Sequence, residues 1–221
     1  MFNLLIIIIA SYLLGSFPTG ILAGKLTRGI DIRSEGSGNT GATNSFRVLG
    51  WKAGLIVALI DIAKGFIAVA VLTRISVFQG SAFPFASLPY SALFIAATLS
   101  AVLGHIKPIF AGFKGGKGFG TAAGAISAAF PILAPLCLIV FGLSLVLSGY
   151  VAVCAAVTSF TLPFFYLLAS KFMALVWDPA IFIFFVFAFF LVIAMMRRKL
   201  VLYFSGKAEL FEKSYALQTQ V

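Results

Sequence analysis

Residues 112–118 read Gly112-Phe113-Lys114-Gly115-Gly116-Lys117-Gly118, with His105 and Pro108 just upstream. Glycine backbone lets an anion approach N–H groups with no Cβ in the way, and two ammonium groups add attraction, so the run suits a phosphate. A second candidate lies at 31–47, Asp31-Ile32-Arg33-Ser34-Glu35-Gly36-Ser37-Gly38-Asn39-Thr40-Gly41-Ala42-Thr43-Asn44-Ser45-Phe46-Arg47, where small residues, side-chain amides, hydroxyls and basic groups are again interleaved. Two anion cradles suit a reaction between two phosphate-bearing partners. The plainer reading is that Gly and Asn make tight turns while Lys and Arg answer anionic lipid headgroups.

Two familiar phosphate motifs are excluded. Gly36, Gly38 and Gly41 match a dinucleotide fingerprint by letter, but an apolar membrane helix rather than a β-strand precedes them. The 112–118 run is not a Walker A loop, because Ala111 stands where its first glycine should be and Gly118 follows Lys117, leaving no hydroxyl for Mg²⁺. Histidine and cysteine are too few and scattered to suggest a metal site.

The elements that must carry these loops are membrane helices. The 221-residue chain is 62% hydrophobic and 10% charged, which excludes soluble globular and disordered classes. Apolar stretches at 2–24, 53–73, 88–104, 122–147, 150–169 and 179–196 are each long enough to cross roughly 30 Å of hydrocarbon. The first has no basic flank or cleavage site and is read as one retained helix. Cys137 and Cys154 fall in apolar stretches and are expected to pack as small hydrophobes, unbridged.

The net charge of +10 is unevenly placed. Thirteen of the sixteen basic residues lie at 25–52, 107–117 and 197–213, so the positive-inside rule puts all three segments in the cytoplasm and the N-terminus outside. The crossing number must then be odd. The 119–147 stretch contains Pro131 and Pro135 and is too long for one span; splitting it at Pro131 gives about seven helices. The short helix starting at Gly118 would aim its N-terminal amides and positive dipole end at the glycine-rich run. The expectation is an all-α polytopic integral membrane protein, one transmembrane domain over 1–221, with cytoplasmic segments 25–52, 105–118 and 197–221. No nucleic acid and no obligate protein partner is called for; membrane lipid is the surrounding partner.

The run Ser37-Gly38-Asn39-Thr40-Gly41-Ala42-Thr43-Asn44 with Arg47 resembles the first motif of the bacterial acyl-phosphate:glycerol-3-phosphate acyltransferases, the PlsY family, and Gly104-His105 through Gly118 resembles the second. The likeness includes the opening Gly15-Ser16-Phe17-Pro18-Thr19-Gly20, the pair Asp61-x-x-Lys64-Gly65 and the seven-helix plan. It implies an enzyme of the bacterial inner membrane that moves a fatty acyl group from acyl-phosphate to the 1-hydroxyl of glycerol 3-phosphate, giving lysophosphatidate and phosphate, with no cofactor. Carried over, Lys117, Ser37 and His105 are the catalytic candidates. Gly38, Asn39, Asn44, Arg47, Lys114, Gly115, Gly116, Gly118 and Arg197 are the substrate-binding ones.

The third family motif, after the last span, is altered. Aligned on Gly206, Met196 stands at its histidine, Arg198 at its glutamate, Lys199 at its asparagine and Leu202 at its second arginine; Arg197, Gly206 and, one place late, Glu209 match. Ala152 occupies the place of a family serine. Arg197, Arg198 and Lys199 keep cationic character for gripping a dianionic acceptor. The alternatives are a relative that binds without turnover, and a transporter of a phosphorylated metabolite, against which stands the lack of any inverted repeat.

Several residues have bland readings beside these. A lone histidine at a helix end is more often structural than an acid or base. Asp61 and Lys64, three apart on one helix face, read first as a mutually neutralising pair. The 25 phenylalanines are as expected of lipid-facing helices as of an acyl groove, and Trp51 and Trp177 read as interfacial anchors.

Overall fold

A computed structural model describes residues 2–71, 73, 88–173 and 175–208. Among these the chain is helical with no strand, and five helical stretches are long and apolar enough to cross a membrane: Leu4–Arg28, Trp51–Ala70, Tyr90–Ala111, Val151–Phe172 and Pro179–Phe204. Phe119–Ala129 and Leu133–Ser148 are shorter apolar helices. The backbone falls into two compact units, Met1–Phe130 and Pro131–Val221.

The first unit holds α1 (Phe2–Gly15), α2 (Thr19–Arg28), α3 (Ala42–Leu49), α4 (Trp51–Ala70), α5 (Tyr90–Ile106) and α6 (Phe119–Ala129). The first apolar stretch is therefore two helices rather than one. Pro18 supplies no N–H and disfavours helical backbone at Phe17, and Ser16 Oγ caps the end by donating to the Tyr12 carbonyl at 2.7 Å. The exposed face of α2 mixes Leu22 and Leu26 with Lys25 and Arg28, while Thr19, Gly20, Ile21 and Gly24 are buried.

Glycines bring helices into backbone contact. A Cβ on Gly65 of α4 would collide with the Thr121 carbonyl of α6, and one on Gly124 of α6 with the Ile62 carbonyl of α4; one on Gly120 would stand 3.1 Å from the Asp61 Cβ. Gly120 and Gly124 are four apart on one face of α6, the small-xxx-small pattern that lets membrane helices pack without a hydrophobic driving force. In the same way Gly15 of α1 lies against the Ala101 carbonyl of α5, and Gly104 of α5 against that of Tyr12. Helix α6 ends at Phe130, whose φ/ψ of −133°/71° suits the residue before Pro131. The break falls where Pro131 predicts it.

The second unit holds α7 (Leu133–Ser148), α8 (Val151–Phe172) and α9 (Pro179–Phe204), packed in that order. Gly149 turns α7 into α8 in the left-handed conformation, φ 59°. Tyr166 of α8 is fully buried; its hydroxyl donates to the Val176 carbonyl at 3.1 Å and accepts from the Asp178 N–H at 2.9 Å, while its ring stacks on Trp177. The Asp178 side chain caps α9 by accepting from the Ala180 N–H at 2.8 Å. The tail beyond 208, including Glu209 and Lys213, lies outside the described residues, as does Arg74.

Candidate active site

The first loop is shaped by one amide. Asn44, 2% exposed on α3, accepts from the Ser37 N–H at 2.8 Å through Oδ1. Its Nδ2 donates to the carbonyls of Ile32 at 3.2 Å and Glu35 at 3.1 Å. Gly36 and Gly38 take left-handed backbone, φ 58° and 68°, and a Cβ on Gly36 would strike Asn44 Oδ1. Asn39 forms an Asx turn, its Oδ1 accepting from the Gly41 N–H at 2.8 Å. Asn44 therefore holds the loop, and Ser37 is left exposed at its crest. Arg47 is half-buried on α3; among the described residues its buried Nε has no hydrogen-bond partner.

The second loop is folded back onto the end of α5. The N–H groups of Gly115 and Gly116 donate to the carbonyls of Ile106 at 3.2 Å and His105 at 3.0 Å. A Cβ on Gly115 would meet the His105 carbonyl and the Pro108 ring, and one on Gly116 the His105 Nε2. These two glycines are needed for close approach to their own scaffold. Gly118, φ 78°, sits at the N-cap of α6, whose first amides have no intrahelical acceptor. Lys114 is exposed and Lys117 half-buried beside this helix end.

The two loops meet. Arg33 Nη1 donates to the Ala111 carbonyl at 2.8 Å while Nη2 pairs with Asp31 Oδ2 at 2.6 Å. Its guanidinium, hydrogen-bonded to Asp31, holds that carboxyl down at about 2 from an ordinary 3.8, and the Asp31 carboxylate raises Arg33 in turn. Beneath them Ile21, Ile32, Val48 and Ala111 form a small buried core drawn from α2, the first loop, α3 and the second loop. Sequence reading singles out both loops but not this joint, since neither Arg33 nor Ala111 carries a sign of its distant partner.

Behind the loops lies a buried polar cluster. Lys64 Nζ is 2.8 Å from Asp61 Oδ1, 3.3 Å from His105 Nδ1, and donates to the Phe17 carbonyl at 3.0 Å. Thr121 Oγ1 is 3.4 Å from the same His105 Nδ1. A small open recess, with a cavity volume of about 10 Å³, runs past this cluster between residues 17–21, Thr40, His105 and Pro108. The Asp61–Lys64 pair is legible from spacing; its contacts with Phe17 and His105 are not. Thr121 is absent from the sequence-derived candidates, although a hydroxyl in a helix of small residues is a signal.

The site gathers cations and the first amides of α6 above a polar floor, and comparison with known proteins identifies the class. A family model described as Glycerol-3-phosphate acyltransferase matches residues 5–206. The chain belongs to the PlsY family of glycerol-3-phosphate acyltransferases. It is 48% identical over 164 residues to the glycerol-3-phosphate acyltransferase of Chlorobium phaeobacteroides (strain BS1), covering 74% of this chain and 69% of that one. With the same enzyme of Chlorobaculum tepidum it shares 49% over 164 residues, 74% and 70% of the two chains. Among solved structures it resembles PlsY (YgiH), an integral membrane glycerol 3-phosphate acyltransferase, in its glycerol 3-phosphate form, with TM-score 0.77, 31% identity and 94% of each chain covered. The lysophosphatidic acid form of that enzyme gives TM-score 0.77 and 31% identity over 97% and 98% of the chains.

As a PlsY-family acyltransferase the chain is a multi-pass membrane enzyme. Of the residues aligned with the third motif, Met196 is buried on α9 while Arg197, Arg198 and Lys199 are exposed there; Ala152 is buried on α8.

Proposed function

We propose that this acyltransferase takes its acyl group from acyl-phosphate and places it on the 1-hydroxyl of glycerol 3-phosphate, releasing lysophosphatidate and inorganic phosphate at the cytoplasmic face of a bacterial inner membrane. The reading rests on one observation above all: two glycine-rich basic loops, each leading into a helix N-terminus, are joined through the Arg33–Ala111 contact. A donor and an acceptor that both carry phosphate need two such cradles at one place.

In the step, the acceptor hydroxyl oxygen bonds to the acyl carbonyl carbon, the bond from that carbon to the phosphate oxygen breaks, and phosphate departs with the electron pair. The hydroxyl proton passes to an oxygen of the leaving phosphate. Acyl-phosphate is a mixed anhydride with a good leaving group, so the protein's part is to align the two and stabilise charge. Lys117 and the first amides of α6 take the donor phosphate, with Lys114 at its edge. Ser37, Gly38, Asn39 and Arg47 serve the acceptor, and Arg197 is assigned to it by the family motif it matches. His105 and Asn44 serve by holding the loops, as their buried hydrogen bonds indicate.

The test is acyl transfer by purified protein in lipid nanodiscs, with long-chain acyl-phosphate, acyl-coenzyme A or acyl carrier protein offered separately beside labelled glycerol 3-phosphate. Labelled lysophosphatidate from acyl-phosphate alone is the expected result; product from either thioester would assign a different donor.

A further inference from the structure

We infer that Lys64 is a positioning residue that ties both substrate loops to one buried ammonium group. Lys64 Nζ donates to the Phe17 carbonyl at 3.0 Å, forms an ion pair with Asp61 Oδ1 at 2.8 Å and lies 3.3 Å from His105 Nδ1, which is itself 3.6 Å from Asp61 Oδ1. The side chains of Lys64 and Asp61 are 5% and 4% exposed, so the group is a built part of the interior and not a solvated pair.

Each acceptor leads to a different part of the site. Phe17 lies in the break between α1 and α2, three residues before Gly20, whose α-carbon backs onto the Thr40 carbonyl of the first loop. A Cβ on Gly20 would collide there, so the break and the first loop are in backbone contact. His105 carries the second loop: its carbonyl accepts from Gly116 and its ring lies against the Gly116 α-carbon. Asp61 stands against Gly120, at the start of α6. Phe17, Thr40, Asp61, Lys64 and His105 together line the recess, so this cation sits where the supports of the two cradles converge, a second tie beside the Arg33–Ala111 contact. A pair needed only for helix packing would be complete with Asp61 and Lys64, which neutralise each other within one turn of α4. The two further contacts leave that helix, one for the α1–α2 break and one for the last turn of α5, from which the second loop hangs.

The proposal deepens the acyl-transfer reading and rests on it for the donor, so its test has a donor-independent arm. The variant is Asp61→Asn with Lys64→Met, which removes both charges together and leaves no unpaired buried ion. In nanodiscs, amide hydrogen exchange at 36–41 and 112–118 is expected to rise about tenfold or more, with α5 and α6 protected as in the wild type. With acyl-phosphate, kcat is expected to fall by about 10- to 100-fold while KM for glycerol 3-phosphate changes by less than about threefold, the signature of misplaced and not absent binding groups. Wild-type exchange in both loops of the folded variant overturns the inference, as does unaltered kcat. Should the methionine variant fail to fold, Lys64→Gln with Asp61→Asn supplies a shorter amide that pairs with its neighbour yet cannot span to Phe17 and His105, and the same two results decide. Inactivity of the wild type with acyl-phosphate would overturn the donor assignment alone, because the exchange arm does not use it.

Discussion

Lys117 lies in the second loop and Asn44 on α3 behind the first, and substitution separates their proposed duties. Lys117→Ala is expected to lower kcat by about 10²- to 10³-fold, the loss seen when one group stabilising transition-state charge is removed, with unchanged thermal unfolding. Full turnover in that variant would rule out its charge-stabilising role. Asn44→Ala strips partners from the Ser37 N–H and from two carbonyls, so it should cost about 1–3 kcal/mol of stability and raise KM for glycerol 3-phosphate. Thermal unfolding in nanodiscs beside steady-state kinetics checks both parts. Residue types and spacing alone mark the two loops as anion sites. They do not distinguish the amide that shapes a loop from the residues that face its ligand, because Asn44, Asn39 and Ser37 look equally able to bind phosphate until burial is known.

At the scale of elements, the glycine seam between α4 and α6 makes a sharp prediction. Gly65→Ala forces a methyl into the Thr121 carbonyl, and overpacking of this kind costs about 1–3 kcal/mol, readable as a lowered unfolding midpoint with activity lost in parallel. The Arg33–Asp31 tether predicts a pH dependence. Asp31 is depressed to about 2 from 3.8, so its contribution is complete above about pH 4 and disappears as pH falls through 3.8 toward 2. The pair is about a third exposed, which keeps its worth under about 1 kcal/mol. Hydrogen exchange at 31–35 measured from pH 5 to pH 2.5, corrected for intrinsic rates, should show protection lost only at the acid end. Helix breaks follow from local chemistry where proline interrupts a stretch too long to be one span, as at Pro131. The break at Pro18 is hidden in the sequence because apolar residues continue on both sides and the stretch is of ordinary length. The seam itself is illegible there, since Gly65 and Gly124 look like any glycines until their helices meet.

For the whole molecule, the charge distribution predicts an external N-terminus and cytoplasmic segments at 25–52, 105–118 and 197–221. Single cysteines at Ser37, Lys114 and Ser205 in a cysteine-free background should react with a membrane-impermeant maleimide only in inverted vesicles; labelling from the outer face at any of them would refute that topology. Arg197, exposed on α9, is assigned to the acceptor by the motif resemblance alone. Arg197→Ala is expected to raise KM for glycerol 3-phosphate by about 10-fold or more, as loss of a charge-assisted contact to phosphate would. The proposed acceptor side is the least legible part of the chain, because Met196, Arg198 and Lys199 stand where the resemblance implies other residues. The order of synthesis gives the buried ion pair a second meaning. Asp61 and Lys64 emerge three residues apart, so α4 can leave the insertion machinery with its charges already matched, some forty residues before His105 exists and nearly sixty before Thr121. The nascent helix carries its own counter-ion into the lipid, and the later helices recruit a cation that is waiting for them.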